Sequence, residues 1–212
     1  MSESWNLGQS GQFCLTLSAG RSPEEVLEIY GADRSRARWL SSADCFTEFE
    51  PTATNTVLRV GTLGDWSFCI EFENPIGFLN AVVRGLSVNS EMITISRTGN
   101  SLTIFRYIVN GRLVESFEPG NLSSSWGQSE HEFSREVHER SATANTVMAS
   151  LHVIAEHVGH ELTTEILHGP LLSVVIDNPE RTVLAHPDPR LQMTAAPETR
   201  STLGRYLGPL SR

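Results

Sequence analysis

Residues 152–161 read HVIAEHVGHE, three histidines and two glutamates in ten positions of a chain with seven histidines in all. Imidazole and carboxylate are the groups that zinc and similar divalent ions take as ligands. Glu156 and His160, or His157 and Glu161, stand four apart, which places both members of a pair on one side of a helix. A metal reading therefore draws on Glu156, His157 and His160. Against it, H-E-x-x-H and H-x-x-E-H are both absent, and no third ligand stands at a meaningful spacing from either pair. At ~100° per residue, Leu151, Ile154, Ala155, Val158 and Leu162 fall on one sector of a helix, and the histidines and glutamates fall on the other. The cluster reads as the solvated side of an amphipathic helix, and no cofactor is expected.

Other catalytic patterns are missing. Gly8-Gln9-Ser10-Gly11 and Gly85-Leu86-Ser87-Val88-Asn89 each miss G-x-S-x-G by one position. No G-x-G-x-x-G or G-x-x-x-x-G-K occurs, so nucleotide sites of those forms are excluded. All sixteen basic residues are arginine. Without lysine there is no pyridoxal phosphate imine, no aldolase-type imine and no P-loop or kinase lysine.

A second group of residues suits binding. Gly64-Asp65-Trp66 puts an acid and a large aromatic at a hairpin tip, and Glu71 and Glu73 follow on the same strand. Alternation gives Trp66, Phe68, Ile70 and Phe72 one face, and Asp65, Ser67, Cys69, Glu71 and Glu73 the other. One core face and one wet face is the plain reading. An acidic rim met by Arg97, Arg106 and Arg112 from later strands is the functional one. The candidate binding residues are thus Asp65, Trp66, Glu71, Arg97 and Arg106; no catalytic residue is assigned.

These residues need elements to hold them. Phe13 to Leu17 reads as a strand, and Ser22-Pro23-Glu24-Glu25 is a capping box opening a helix that Gly31 stops. Residues 32–56 show no period and read as a long connection. Val57 to Thr62 and Trp66 to Phe72 form a hairpin. From Pro75, Phe78, Leu79, Val82, Val83 and Leu86 recur at helical spacing. Met92 to Arg97, Leu102 to Val109 and Arg112 to Phe117 form a meander, with Asn110-Gly111 a strong hairpin turn. Residues 118–142 read as loop, Thr143 to Val158 as a helix, Thr163 to Leu167 as a short one, and Leu171 to Ile176 as strand or coil. The sum is an α+β fold: an antiparallel sheet, hairpin plus three-stranded meander, with helices packed against it. Residues 1–176 form one domain. The proline-rich segment 177–212 is expected to be a disordered tail.

Composition narrows the partner. A formal charge of −9 with no basic cluster beyond 34–38 argues against nucleic acid. No run approaches the ~18 apolar residues that a membrane helix needs. The start, MSESWNLGQSGQ, lacks an apolar h-region, and three scattered cysteines suit buried free thiols. A cytoplasmic protein is expected.

Several stretches resemble an uncharacterised domain family common in actinobacteria. They are Trp5 before 13–17, the 22–27 box with Gly31-Ala32-Asp33, and Val60-Gly61-Thr62-Leu63-Gly64-Asp65-Trp66. Tyr107 to Gly111, Ser116-Phe117-Glu118-Pro119, 159–162 and Gly169-Pro170-Leu171-Leu172 continue the match over roughly 5–172. V-G-x-x-G-D-W is its most specific piece. The resemblance brings no catalytic residues and implies a high-GC, cytoplasmic origin. The expected function is a non-enzymatic protein-interaction module, an accessory or toxin-neutralising factor for a basic partner. The alternative is an enzyme or small-ligand binder whose site is assembled from distant residues, with metal dependence through the 156–160 set.

Overall fold

The capping box starts a helix as the sequence requires. In the computed structural model, which describes residues 12–50, 52, 55–127 and 131–177, the strand β1 (Phe13–Ala19) leads into α1 (Pro23–Ile29). The Ser22 hydroxyl accepts the Glu25 N–H at 3.2 Å, and the Glu25 carboxylate accepts the Ser22 N–H at 2.7 Å. Trp5, the 8–11 stretch and the expected tail beyond Asp177 lie outside the described residues.

The connection expected over 32–56 holds more structure than its sequence suggests. A 3₁₀ turn at Arg34–Arg36 precedes a three-residue strand, β2 (Arg38–Leu40), and a helix, α2 (Ser42–Glu48), capped by the Ser41 hydroxyl on the Asp44 N–H. The hairpin β3 (Asn55–Leu63) and β4 (Trp66–Phe72) follows, then α3 (Asn80–Ser87), which begins five residues after Pro75. Next come the meander strands β5 (Glu91–Arg97), β6 (Thr103–Val109) and β7 (Arg112–Glu118). The stretch read as loop over 118–142 supplies a fourth meander strand, β8 (Asn121–Gly127), and a helix, α4 (Glu132–Ser141). Then α5 (Thr146–Val158), α6 (Thr164–His168) and β9 (Leu171–Asp177) close the described chain.

The fold is α+β, with one nine-stranded sheet in the order β2-β9-β3-β4-β1-β5-β6-β7-β8 and every neighbouring pair antiparallel. Helices pack on both faces of its central strands. One core joins Phe13, Leu15, Leu17, Phe68, Ile70, Phe105 and Phe117 to Val137 of α4 and to Val147, Leu151 and Ile154 of α5. The other joins Leu58, Val60, Cys69, Met92 and Val174 to Val26, Leu27 and Tyr30 of the α1 region and to Val82 and Leu86 of α3. The face of β4 read as wet is therefore interior: Ser67, Cys69 and Glu71 are each 1% exposed or less. All three cysteines are buried free thiols.

Where helices close both faces, a charged strand residue must find partners inside. Arg59, 2% exposed, is the largest fully buried side chain. Its Nη1 donates to the Leu167 carbonyl at 2.5 Å, and its Nη2 to those of Gly169 at 3.1 Å and Leu40 at 3.3 Å. One guanidinium thus ties β3 to the end of β2 and to the α6–β9 turn. Burial pulls its pKa below the usual arginine value. Arg59→Met would strand these carbonyls, each worth about 1–3 kcal/mol when left unpaired. Urea unfolding should show a loss of about 3 kcal/mol or more; a change under about 0.5 kcal/mol would mean the clamp contributes nothing beyond an ordinary surface residue.

Candidate functional site: a buried carboxylate cluster and an open sheet edge

Cross-strand register sets the first cluster. Cys14 of β1 stands opposite Glu71 of β4, Thr16 opposite Cys69, and Thr16 on its other side opposite Thr94 of β5. All point to the face under α1 and α3. Tyr30, at the end of α1, reaches down to them: its O–H donates to Glu71 Oε1 at 3.0 Å, which leaves the Thr16 hydroxyl to donate to Tyr30 at 2.9 Å. The Cys14 thiol lies 3.5 Å from the Thr94 hydroxyl.

Glu71 is 0% exposed, and backbone donors take up its remaining capacity. The Ile76 N–H donates to Oε2 at 2.6 Å, and the Gly77 N–H is shared between Oε1 at 3.0 Å and Oε2 at 3.3 Å. Arg106 holds the same turn from the other side, its Nη1 donating to the Phe78 carbonyl at 3.2 Å. The two charges grip one loop, the approach to α3, by its N–H and C=O groups. Gly77 is required there, since a Cβ would lie 2.5 Å from both Glu71 Oε1 and the Tyr30 hydroxyl. Burial pushes the Glu71 carboxyl up to about 7, against the pull of the Ile76, Tyr30 and Gly77 donors. Desolvation likewise drives the Cys14, Cys69 and Tyr30 pKa values well up.

The five candidate binding residues divide between the two faces. Glu71 and Arg106 share the α1/α3 face. Trp66, 7% exposed, belongs to the opposite core, and Arg97 stands opposite Phe13 on that same side. Asp65 is exposed at the hairpin tip, where its carbonyl accepts the Gly20 N–H at 2.9 Å.

The histidine-rich helix is amphipathic as its spacing implies. Leu151, Ile154 and Val158 are buried, and His152 and Glu156 are exposed; the helix stops at Val158 with Gly159 in the left-handed region, so His160 and Glu161 lie beyond it and the four-apart pairs with Glu156 and His157 do not share a helix face. Glu156 pairs with Arg140 through two bonds of 2.9 and 2.6 Å. The His160 ring lies on the Cα side of Gly64, where any Cβ would fall 2.4 Å away. His157 stands among Trp66, Tyr107 and Phe133, with centroids at 5.8, 5.4 and 5.1 Å, and its Nε2 is 3.5 Å from Glu91 Oε2. Among the described residues no group of three His, Cys, Asp or Glu is placed to hold a metal ion.

Sequence reasoning missed Glu115 and the sheet edge. Glu115, 1% exposed, accepts the Phe133 N–H at 3.1 Å and the Ser134 N–H at 2.8 Å, so a carboxylate from β7 caps α4. The only sequence signal for α4 is the i,i+4 pair Phe133 and Val137. At the edge, the row Cys69, Thr16, Thr94, Arg106, Ser116 and Trp126 runs across β4, β1, β5, β6, β7 and β8 and ends on a side chain that is 60% exposed. Helices α1 and α3, of seven and eight residues, pack on β3, β4 and β5. Two helices of ~10 Å diameter cannot cover nine strands spaced ~4.8 Å apart. Trp126 on β8 and Leu113 on β7, which is 42% exposed, lie on the part of this face beyond them.

A family model described as a family of unknown function, DUF6461, matches residues 2–140. The match ends within α4, so α5, α6 and β9 lie beyond it. No curated protein and no solved structure matches the chain. Among the described residues no helix is long and apolar enough to cross a membrane.

The Glu71 cluster sets a pH dependence. A carboxyl raised from 4.5 to about 7 in the folded state binds its proton more tightly there than in the unfolded chain. Its stabilising effect is complete below the unfolded value and is lost as pH rises towards 7, by roughly 3 kcal/mol. Unfolding free energies measured from pH 4 to 8 should show this fall in the native chain and lack it in Glu71→Gln; parallel curves would refute it. Gly77→Ala should lower stability at every pH by about 1–3 kcal/mol through overpacking, as read by thermal unfolding.

Proposed function

We propose that this chain, which belongs to the DUF6461 family of unknown function, is a protein-interaction module that receives an extended basic segment of a partner at the β8 edge. The observation carrying this reading is the edge itself. Edge strands are usually shortened, charged or broken by proline, because their unpaired N–H and C=O groups invite another strand. At the opposite end, β2 has only three residues. β8 has seven, reads NLSSSWG, and contains neither charge nor proline, and its register against β7 shifts between Ser116 and Glu118. Among the described residues its sheet neighbour is β7 alone, and Trp126 stands exposed on it.

An added strand would gain main-chain hydrogen bonds from β8 and apolar contact from Trp126 and Leu113. Tryptophan is the side chain most often found to dominate such contacts. The formal charge of −9 favours a basic partner and supports an accessory or neutralising role. An actinobacterial, cytoplasmic origin fits the absence of lysine and the V-G-x-x-G-D-W and G-P-L-L motifs.

Selection of a random displayed peptide library on the full chain tests this. Enriched peptides should be basic and rich in β-branched residues, and they should protect β8 amides from hydrogen exchange. Trp126→Ala should weaken them by about tenfold or more, and Ser123→Arg, which adds edge charge, should do likewise. Peptides that bind both variants as well as the native chain, with protection elsewhere, would overturn the proposal.

A further inference from the structure

The loop between β4 and α3 is strained at one end and uncapped at the other. Glu73 and Asn74 stand in the left-handed region, with φ of 55° and 33°, a conformation that residues other than glycine rarely hold. The Thr56 hydroxyl donates to the Asn74 carbonyl, and Asn74 Nδ2 donates to the Thr52 carbonyl at 2.8 Å. Leu79 precedes α3 without a side-chain cap, so the helix start is not anchored by its own sequence. Between these ends, the Ile76 and Gly77 N–H groups bond to the Glu71 carboxylate and the Phe78 carbonyl to Arg106. One buried acid therefore holds the middle of the loop.

Beneath the loop lie groups kept from water. Gly77 sits directly over Glu71, Tyr30 and Thr16, since a Cβ there would fall 2.5–2.8 Å from all three side chains. Cys14 of β1 stands opposite Glu71, and Cys69 lies two residues before it on β4. Cys14, Tyr30, Cys69 and Glu71 are each 0% exposed. β5 presents Thr94 to this space and β6 presents Arg106. Arg84 of α3 lies on the side of that helix away from Val82 and Leu86, and Glu73 in the loop is exposed.

We propose that residues 73–79 are a proton-operated latch: while Glu71 carries a proton the loop stays closed over Cys14, Cys69 and Tyr30, and when Glu71 ionises the loop opens and admits water and thiol reagents to them. The driving force is hydration, which a buried carboxylate lacks and an opened one regains. The closed site holds its proton up to about pH 7, against an ordinary carboxyl value of 4.5 once the loop is open. Opening is thus rarest below pH 4.5, grows as pH rises towards 7, and levels off above it. Between pH 5 and 8 the open fraction rises roughly fiftyfold.

Amide exchange of the full chain, corrected for the intrinsic effect of pH, reads this opening. The Ile76 and Gly77 amides should be less protected than those of β1 and β4 at every pH. They should lose roughly fiftyfold in protection from pH 5 to 8 and respond little to low urea, because a local opening exposes little surface. Iodoacetamide should alkylate Cys14 and Cys69 with the same pH dependence, after division by the rate at Cys45 on α2, which corrects for thiolate formation. Glu71→Gln should flatten the pH dependence, and Gly77→Ala should raise exchange at every pH with the slope kept. Protection and urea response at Ile76 and Gly77 equal to those of the central strands would mean that they open only in global unfolding, and the latch would fall. Protection that does not change with pH, or a Glu71→Gln profile as steep as the native one, would equally overturn it.

Discussion

Packing helices on both faces of an antiparallel sheet takes water away from most side chains of its central strands, and this constraint shapes the rest of the molecule. The charged groups that fall inside are not paired with one another. Arg59 binds three carbonyls, Glu71 two N–H groups and a tyrosine, and Glu115 two N–H groups. Each serves backbone that no regular element satisfies: the α6–β9 turn, the approach to α3, the start of α4. A buried charge is tolerable when hydrogen bonds replace much of its lost hydration. Here those bonds also fix where three helices join the sheet.

Much of this arrangement was legible in the sequence where one signal dominated. The Ser22 capping box, the Asn110-Gly111 turn and the apolar sector of Leu151, Ile154 and Val158 each correspond to a single local cause, and each element is present. The missed elements are those whose cause is tertiary. β8 is Ser-rich and half exposed, so no alternation marks it. α4 shows the core little beyond Phe133 and Val137, and its first turn is capped by Glu115, seventeen residues before it in sequence at Glu132. β2 and α2 are too short for a period to show, although Ser41 three residues before Asp44 was a readable cap.

The alternation of β4 holds in the structure, yet its polar face is interior where its sequence suggests a solvated one. Ser67, Cys69 and Glu71 look like a solvated row because polarity in sequence does not distinguish a wet face from a satisfied interior one. What distinguishes them is the chain that comes to rest above, and Tyr30 and Gly77 lie forty-one residues before and six after Glu71. The same limit applies to Arg97. Alternation already separates Trp66 from Glu71, but the type of Arg97 suggests a shared surface with Glu71, and register sends it to the other side of the sheet.

The two ends of the sheet are unequal, and the inequality governs self-association. Head-to-tail stacking of copies would pair β8 of one with β2 of the next, and a contact of that kind repeats without closing, which is how filaments grow. β2 offers only Arg38, Trp39 and Leu40 for such a pairing. Seven residues of template meet three of complement, so a growing end finds little to hold. Among the described residues, the longer edge can stay open without polymerising through it, and its register shift against β7 adds a second obstacle.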